Sequence, residues 1–310
     1  MADRQLAYVA LVVSDVEVAT AMFQRDFGLR RIDCAAGRSG RGVPVLPVGK
    51  SALALFAPGD PLVDGETRLG IHHIALGVED PVVAARAAGI PLVEPTPREG
   101  LSGTRRVLLS PEATAGVLTY LTEPLDLART FGGVVERIDH LGVASADNRA
   151  AIEAFSTKLG CPLESSQTDL EVQIAVESFT SDKYGVVHHP RPLAPVSGLR
   201  VAFITIGDCE LEFLEEFDPA ADVSVTPDRP GSTRQDQGAI GRFISARGAG
   251  LHHLALKVPD INGTLAALGR AGHALIDRVG RPGSRRALIG FVHPKSLFGV
   301  LMHLVQRDEA

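Results

Sequence analysis

The chain reads as an α+β protein of two domains, each built from two paired β-α-β-β-β units. Three observations predict this. One strand–turn–helix–Gly pattern occurs four times, each copy ends in an alternating strand, and 310 residues exceed the usual size of one domain.

The copies can be taken in order. The first is Tyr8-Val9-Ala10-Leu11-Val12-Val13-Ser14-Asp15, followed by VEVATAMFQRDFGL. The second begins at His73 and reaches Asp80, the third runs from His140 to Asp147, and the fourth from His253 to Asp260. Each opens on apolar, largely β-branched residues, as a buried strand should. Asp15, Asp80, Asp147 and Asp260 are good helix N-caps, and Pro81 suits the first helical position, where its missing N–H costs nothing. Apolar residues at helical spacing follow, such as Val16, Ala19, Met22 and Phe23. Gly28, Gly89, Gly160 and Gly272 then stop the helices. The closing strands are ALALFAP (52–58), GVLTYLTEP (116–124), CELEFLEEF (209–217) and GVLMHLVQ (299–306). In the third, Glu210, Glu212 and Leu214 share one face. The domains are therefore expected at 1–124 and 137–310, with 125–136 as linker.

Composition excludes several functions. Thirty-one Lys and Arg against 37 Asp and Glu leave a net charge of −6, with no electrostatic case for nucleic acid or an anionic membrane. Aromatic residues make up 5%, with no Trp, so stacking on bases or sugars is poorly served. No apolar run approaches a membrane span, and no signal peptide is seen at the N-terminus, so a cytoplasmic location is expected. Cys34, Cys161 and Cys209 form no C-x-x-C pair and read as small core hydrophobes.

Aligning the units exposes the chemistry. The first-strand position holds Tyr8, His73, His140 and His253; the inward last-strand position holds Ala54, Tyr120, Glu212 and His303. The separations are 46 residues (Tyr8 to Ala54), 47 (His73 to Tyr120), 72 (His140 to Glu212) and 50 (His253 to His303). The long one carries an insertion near 180–198. Two paired units make a half-open cup. The second cup then gathers His140, Glu212, His253 and His303, a donor set for Zn, Co, Mn, Ni or Fe(II). The first gathers Tyr8, Ala54, His73 and Tyr120, which hold a metal poorly and read as scaffold. Strand alternation sends His72 and His252 to the opposite face, as structural residues. Arg105, Arg106 and Glu99 read as a polar loop. Arg285 and Arg286 occupy the matching loop of unit four, either as a solvated turn or meeting an anion at the rim. Lys183, Tyr184, His188 and His189 sit in the insertion, as a solvated loop or a cover for the cup.

These residues resemble the vicinal oxygen chelate superfamily, the group of glyoxalase I, methylmalonyl-CoA epimerase and extradiol dioxygenases. In the second domain the segments IDHLGVA (138–144), IGRFISARGAGLHHLALKVPDI (240–261) and FVHPKSLFGVLMHLV (291–305) are most similar to the epimerases. The resemblance implies a divalent metal at His140, Glu212 and His253. It also implies an enolate-like intermediate formed while the metal binds two neighbouring substrate oxygens. The sequence departs where the epimerase pattern ends GVLIEL: here it reads GVLMHL, with His303 in place of the carboxylate. Glu212 and His303 are the candidate catalytic residues, His303 as fourth ligand or as base.

Three readings follow. The first is a metal-dependent isomerase or lyase acting next to a carbonyl, on an acyl-CoA or a related 2-substituted carbonyl compound. The second is an Fe(II)- or Mn-dependent dioxygenase cleaving a ring or a keto acid, suggested by the duplicated layout. The third is a metal-free ligand-binding module. A small-molecule substrate and a possible homodimer are the expected partners.

Overall fold

The computed structural model describes residues 4–37, 40–127, 133–173, 176–183, 185–190, 194–219 and 238–308, with backbone alone at 171–173, 176–181, 187–190 and 194–196. The first half forms one eight-stranded sheet. Its strands are β1 (Gln5–Val12), β2 (Ile32–Ala36), β3 (Arg41–Val48), β4 (Ser51–Phe56), β5 (Gly70–Gly77), β6 (Arg98–Glu99), β7 (Arg105–Leu108) and β8 (Thr119–Thr122), in the order β2-β3-β4-β1-β5-β8-β7-β6. The second half repeats it. There β9 (Arg137–Ala144), β10 (Leu163–Gln173), β13 (Ala194–Ile206), β14 (Cys209–Phe217), β15 (Gly250–Lys257), β16 (Arg281–Pro282), β17 (Leu288–Val292) and β18 (Met302–Gln306) take the order β10-β13-β14-β9-β15-β18-β17-β16. The insertion forms a separate hairpin, β11 (Val176–Ser181) and β12 (Gly185–Pro190). The molecule is thus α+β, with two curled eight-stranded sheets.

Each sheet is two units joined back to back. The first strands pair antiparallel (β1 with β5, β9 with β15), and each pairs parallel with the last strand of its own unit. The helices follow the first strands: α1 (Val16–Phe27), α2 (Pro81–Ala88), α3 (Asn148–Ile152) and α5 (Ile261–Arg270). α4 (Gly238–Arg247) precedes β15 and has no counterpart in the repeat. All four predicted caps act. Asp15, Asp80, Asp147 and Asp260 each accept a hydrogen bond from a backbone N–H of the first turn, which satisfies donors that no helical carbonyl can reach. α3 departs from plain α geometry and continues as a π-helix over Glu153–Lys158.

The helix-bearing faces of the two sheets share one apolar cluster, with Val9, Leu11 and Phe23 from the first half and Leu141, Phe155, Phe213 and Leu256 from the second. The opposite, concave faces hold separate smaller clusters. Polar ties also cross between the halves. His273 Nε2 lies 2.7 Å from Asp26 Oδ2, and Arg4 Nε donates to the Leu159 carbonyl at 3.0 Å. All three cysteines are buried and free. No described helix is long and apolar enough to cross a membrane.

Candidate metal centre

Neighbouring strands bring the four residues of the second cup together. β14, β9, β15 and β18 are adjacent and carry Glu212, His140, His253 and His303 in that order. The register does the placing. Gly142 pairs with Glu212 on one side and His253 on the other, and Ala255 pairs with His140 and His303. The small residues at the crossing points leave room for the large ones. A Cβ on Gly142 would lie 2.0 Å from His253 Cε1, so the imidazole occupies the space that any other residue would fill.

The donor atoms converge. His140 Nε2 lies 3.3 Å from His253 Nε2, 3.4 Å from Glu212 Oε2 and 3.2 Å from His303 Nδ1. Glu212 Oε2 is also 3.4 Å from His253 Nε2. Ligands bound at about 2.1 Å around a tetrahedral ion stand about 3.4 Å apart, so these spacings suit one shared cation. A cavity of ≈ 20 Å³ lies beside His140, Glu212 and His303, room for about one water-sized sphere. His303 Nε2 is buried with no hydrogen-bond partner among the described residues. Three buried imidazoles with facing nitrogens and one buried carboxylate are costly without a cation among them, and that donor chemistry fits a divalent metal.

The electrostatics agree. Burial works to raise the Glu212 carboxyl, but His140, His253 and Arg285 outweigh it and hold its pKa below the ordinary range. Burial also works to depress His140, and here Glu212 and Asp139 prevail, so its pKa is raised. Burial pushes His253 down and His303 well below the usual imidazole value, His303 with the help of its two histidine neighbours. His303 stacks on Phe291, ring centroids 4.3 Å apart.

Two residues beside the four cup residues were not legible as site residues. In the pairing of β9 with β15, Asp139 and His252 are each the extra residue of a β-bulge. A bulge re-aims a side chain. Asp139 Oδ2 therefore meets His140 Nδ1 at 2.9 Å, itself held by Arg307 and by Arg137 at 3.3 Å. His252 Nδ1 meets His253 Nδ1 at 3.0 Å, which corrects the expectation that alternation sends it to the far face. His72 is the matching bulge of β5 and lies 2.7 Å from His73 in the same way.

The first cup holds Tyr8, Ala54, His73 and Tyr120 at the equivalent register, and it is filled. Arg106, expected as part of a polar loop, is buried on β7 with its guanidinium 4.1 Å above the Tyr120 ring. It donates to the Leu62 carbonyl at 2.9 Å, and its charge acts to lower the pKa of the Tyr8 hydroxyl, which burial raises. Tyr120 donates to Asp64 at 2.6 Å. Arg105 pairs with Glu123 at 2.7 Å on the rim. Arg285 is no solvated turn either: its guanidinium lies 3.7 Å above the Phe203 ring and pairs with Glu210 and with Glu164 at 3.0 Å. Lys183 is exposed in the turn of the insertion hairpin. Tyr184 and the side chains of His188 and His189 lie outside the described residues.

Residues 139–291 match the family model described as Glyoxalase/Bleomycin resistance protein/Dioxygenase superfamily. The uncharacterized protein YqjC of Bacillus subtilis (strain 168) is 25% identical over 172 residues, 56% of this chain and 93% of that protein. A variant of 4-hydroxymandelate synthase from Streptomyces coelicolor matches in structure with a TM-score of 0.63 at 18% identity, covering 100% of this chain and 94% of that one. Methylmalonyl-CoA epimerase from Mycobacterium tuberculosis matches with a TM-score of 0.38 at 24% identity, over 59% of this chain and 95% of that one. Residues 139–291 are thus similar to the Glyoxalase/Bleomycin resistance protein/Dioxygenase superfamily, and the N-terminal half repeats the strand order of the C-terminal half.

Proposed function

We propose that the chain is a metal-dependent isomerase or lyase that removes a proton next to a carbonyl, on an acyl-CoA or a related 2-substituted carbonyl compound. The observation that carries the metal is the clustering of donors about His140 Nε2, which lies 3.2–3.4 Å from atoms of Glu212, His253 and His303, with donor nitrogens of the three imidazoles within 4.8 Å of one another. The choice of this reaction class rests on the resemblance of the segments 240–261 and 291–305 to the epimerases, while the family match is common to both readings. A divalent cation held by these four residues supplies, when bound, positive charge to two neighbouring substrate oxygens, which lowers the cost of removing the adjacent proton.

The side chains divide the remaining work. His140 is anchored through Nδ1 by Asp139, and His253 through Nδ1 by His252. Glu212 supplies the negative charge of the set. His303 stacks on Phe291 and meets His140 through Nδ1 at 3.2 Å, and its Nε2 has no hydrogen-bond partner among the described residues. Displaced from the cation, it would have a free ring nitrogen and would be the base. The test is exchange of the substrate α-proton with deuterated solvent, run without oxygen and with zinc or cobalt restored. Exchange that His303→Ala abolishes supports the reading. Absence of exchange across acyl-CoA and keto-acid substrates overturns it.

The second reading is an Fe(II)- or Mn-dependent dioxygenase acting on a ring or a keto acid. It draws on the full-length two-sheet layout shared with 4-hydroxymandelate synthase. Oxygen uptake dependent on iron and substrate would favour it over the first. A small-molecule substrate is common to both.

A further inference from the structure

We propose that His252 is a positioning residue, which fixes the tautomer and ring orientation of His253 so that its Nε2 faces the second cup. The inference rests on the metal reading above and extends it to a residue outside the ligand set.

The two bulges make the argument. β9 and β15 pair antiparallel, and each carries one extra residue immediately before its cup histidine, Asp139 before His140 and His252 before His253. Each extra residue reaches the Nδ1 of the histidine that follows it, at 2.9 Å and 3.0 Å. An imidazole that presents Nε2 to a cation carries its proton on Nδ1, and that N–H needs an acceptor. Asp139 is one acceptor, and the Nδ1 lone pair of His252 is the other. His252 is itself held, edge-on to the Phe243 ring at 4.9 Å. The first half supplies a control within the same molecule. It keeps the His72–His73 contact, at 2.7 Å, but has Ala7 at the bulge where the second half has Asp139, and its cup is filled by Arg106.

The experiment is Co(II) titration of the full-length protein, read by chelator competition and by the visible absorption of the bound ion. His252→Ala is expected to weaken Co(II) binding about 10- to 100-fold and to shift the absorption bands. His252→Asn, whose Oδ1 can accept the same hydrogen bond, is expected to recover most of the affinity and the wild-type spectrum. His72→Ala is expected to change neither. Thermal melts of the metal-free proteins check folding, and should His252→Ala fail to fold, the Asn and Gln variants carry the test: Gln is expected to weaken binding and Asn to preserve it. Wild-type affinity and spectrum in His252→Ala, or equal binding by the Asn and Gln variants, would overturn the inference while leaving the metal reading intact. A wild-type protein that takes up no Co(II) would overturn both.

Discussion

The two cups fill the same register with different polar groups. Both are built on four central strands in one register, both are buried, and both crowd polar groups into a concave face. In the first cup the positive charge is part of the chain. Arg106 extends from β7 under Tyr120 and Tyr8. In the second the matching position on β17 is Ile289: Leu108 pairs with Tyr120 as Phe291 pairs with His303, two residues further along in each case. Ile289 lines the cavity and brings no charge. The second cup has a carboxylate, three imidazoles and a small space where the first has a guanidinium. The difference teaches how a duplicated fold separates scaffold from site. A guanidinium of the chain closes the first cup, while the second keeps its donor set beside a small cavity whose lining includes Arg285 and Arg307.

The sharpest way to break this comparison is at the strand crossing. Ala10 in the first cup corresponds to Gly142 in the second, where no Cβ fits beside His253. Gly142→Ala is expected to displace the His253 ring and weaken divalent metal binding more than about 100-fold, beyond the loss from a disturbed outer partner. Chelator competition measures it. Unchanged affinity would show that His253 is not held where the structure places it.

The next effect concerns the built-in cation. Arg106→Met keeps much of the volume but removes the bond to Leu62 and the charge that acts on the Tyr8 hydroxyl. A loss of about 2–3 kcal/mol in urea unfolding is expected, because a buried acceptor loses a charged donor, with metal content unchanged. A variant that lost metal instead would mean that the cups are not independent.

A smaller effect tests the joint between the halves. The Asp26 carboxyl is held below its ordinary pKa chiefly by its hydrogen bond to Arg25, with His273 of the second half adding to it. A depressed carboxylate contributes stability above its unfolded pKa and loses it as pH falls through the folded value. Asp26→Asn is therefore expected to lower Tm by about 2–4 °C near neutral pH. The gap from wild type should close below about pH 4. Calorimetry across that range checks it, and a gap that widened toward acid would reverse the assignment.

Much of the architecture was legible because its signals are local. An Asp before each helix and a Gly after it act within one turn, and the four copies could be aligned on them. That alignment also carried the register, and with it the adjacency of His140, Glu212, His253 and His303. The bulges left no such mark. One extra residue in a strand changes no composition, so alternation assigned His252 to the wrong face and passed over Asp139. Arg106 and Arg285 were misread for a different reason. Their partners are far away in the chain, Leu62 and Tyr8 for one, Glu210 and Glu164 for the other, and only the folded sheet brings them in.

The most direct test of the account is the metal content of the purified protein after exposure to zinc and dialysis, compared with its His253→Ala and His73→Ala variants. One divalent ion per chain is expected in the wild type and in His73→Ala, and almost none in His253→Ala. A metal-free wild type, or a loss caused by His73→Ala rather than His253→Ala, would contradict it.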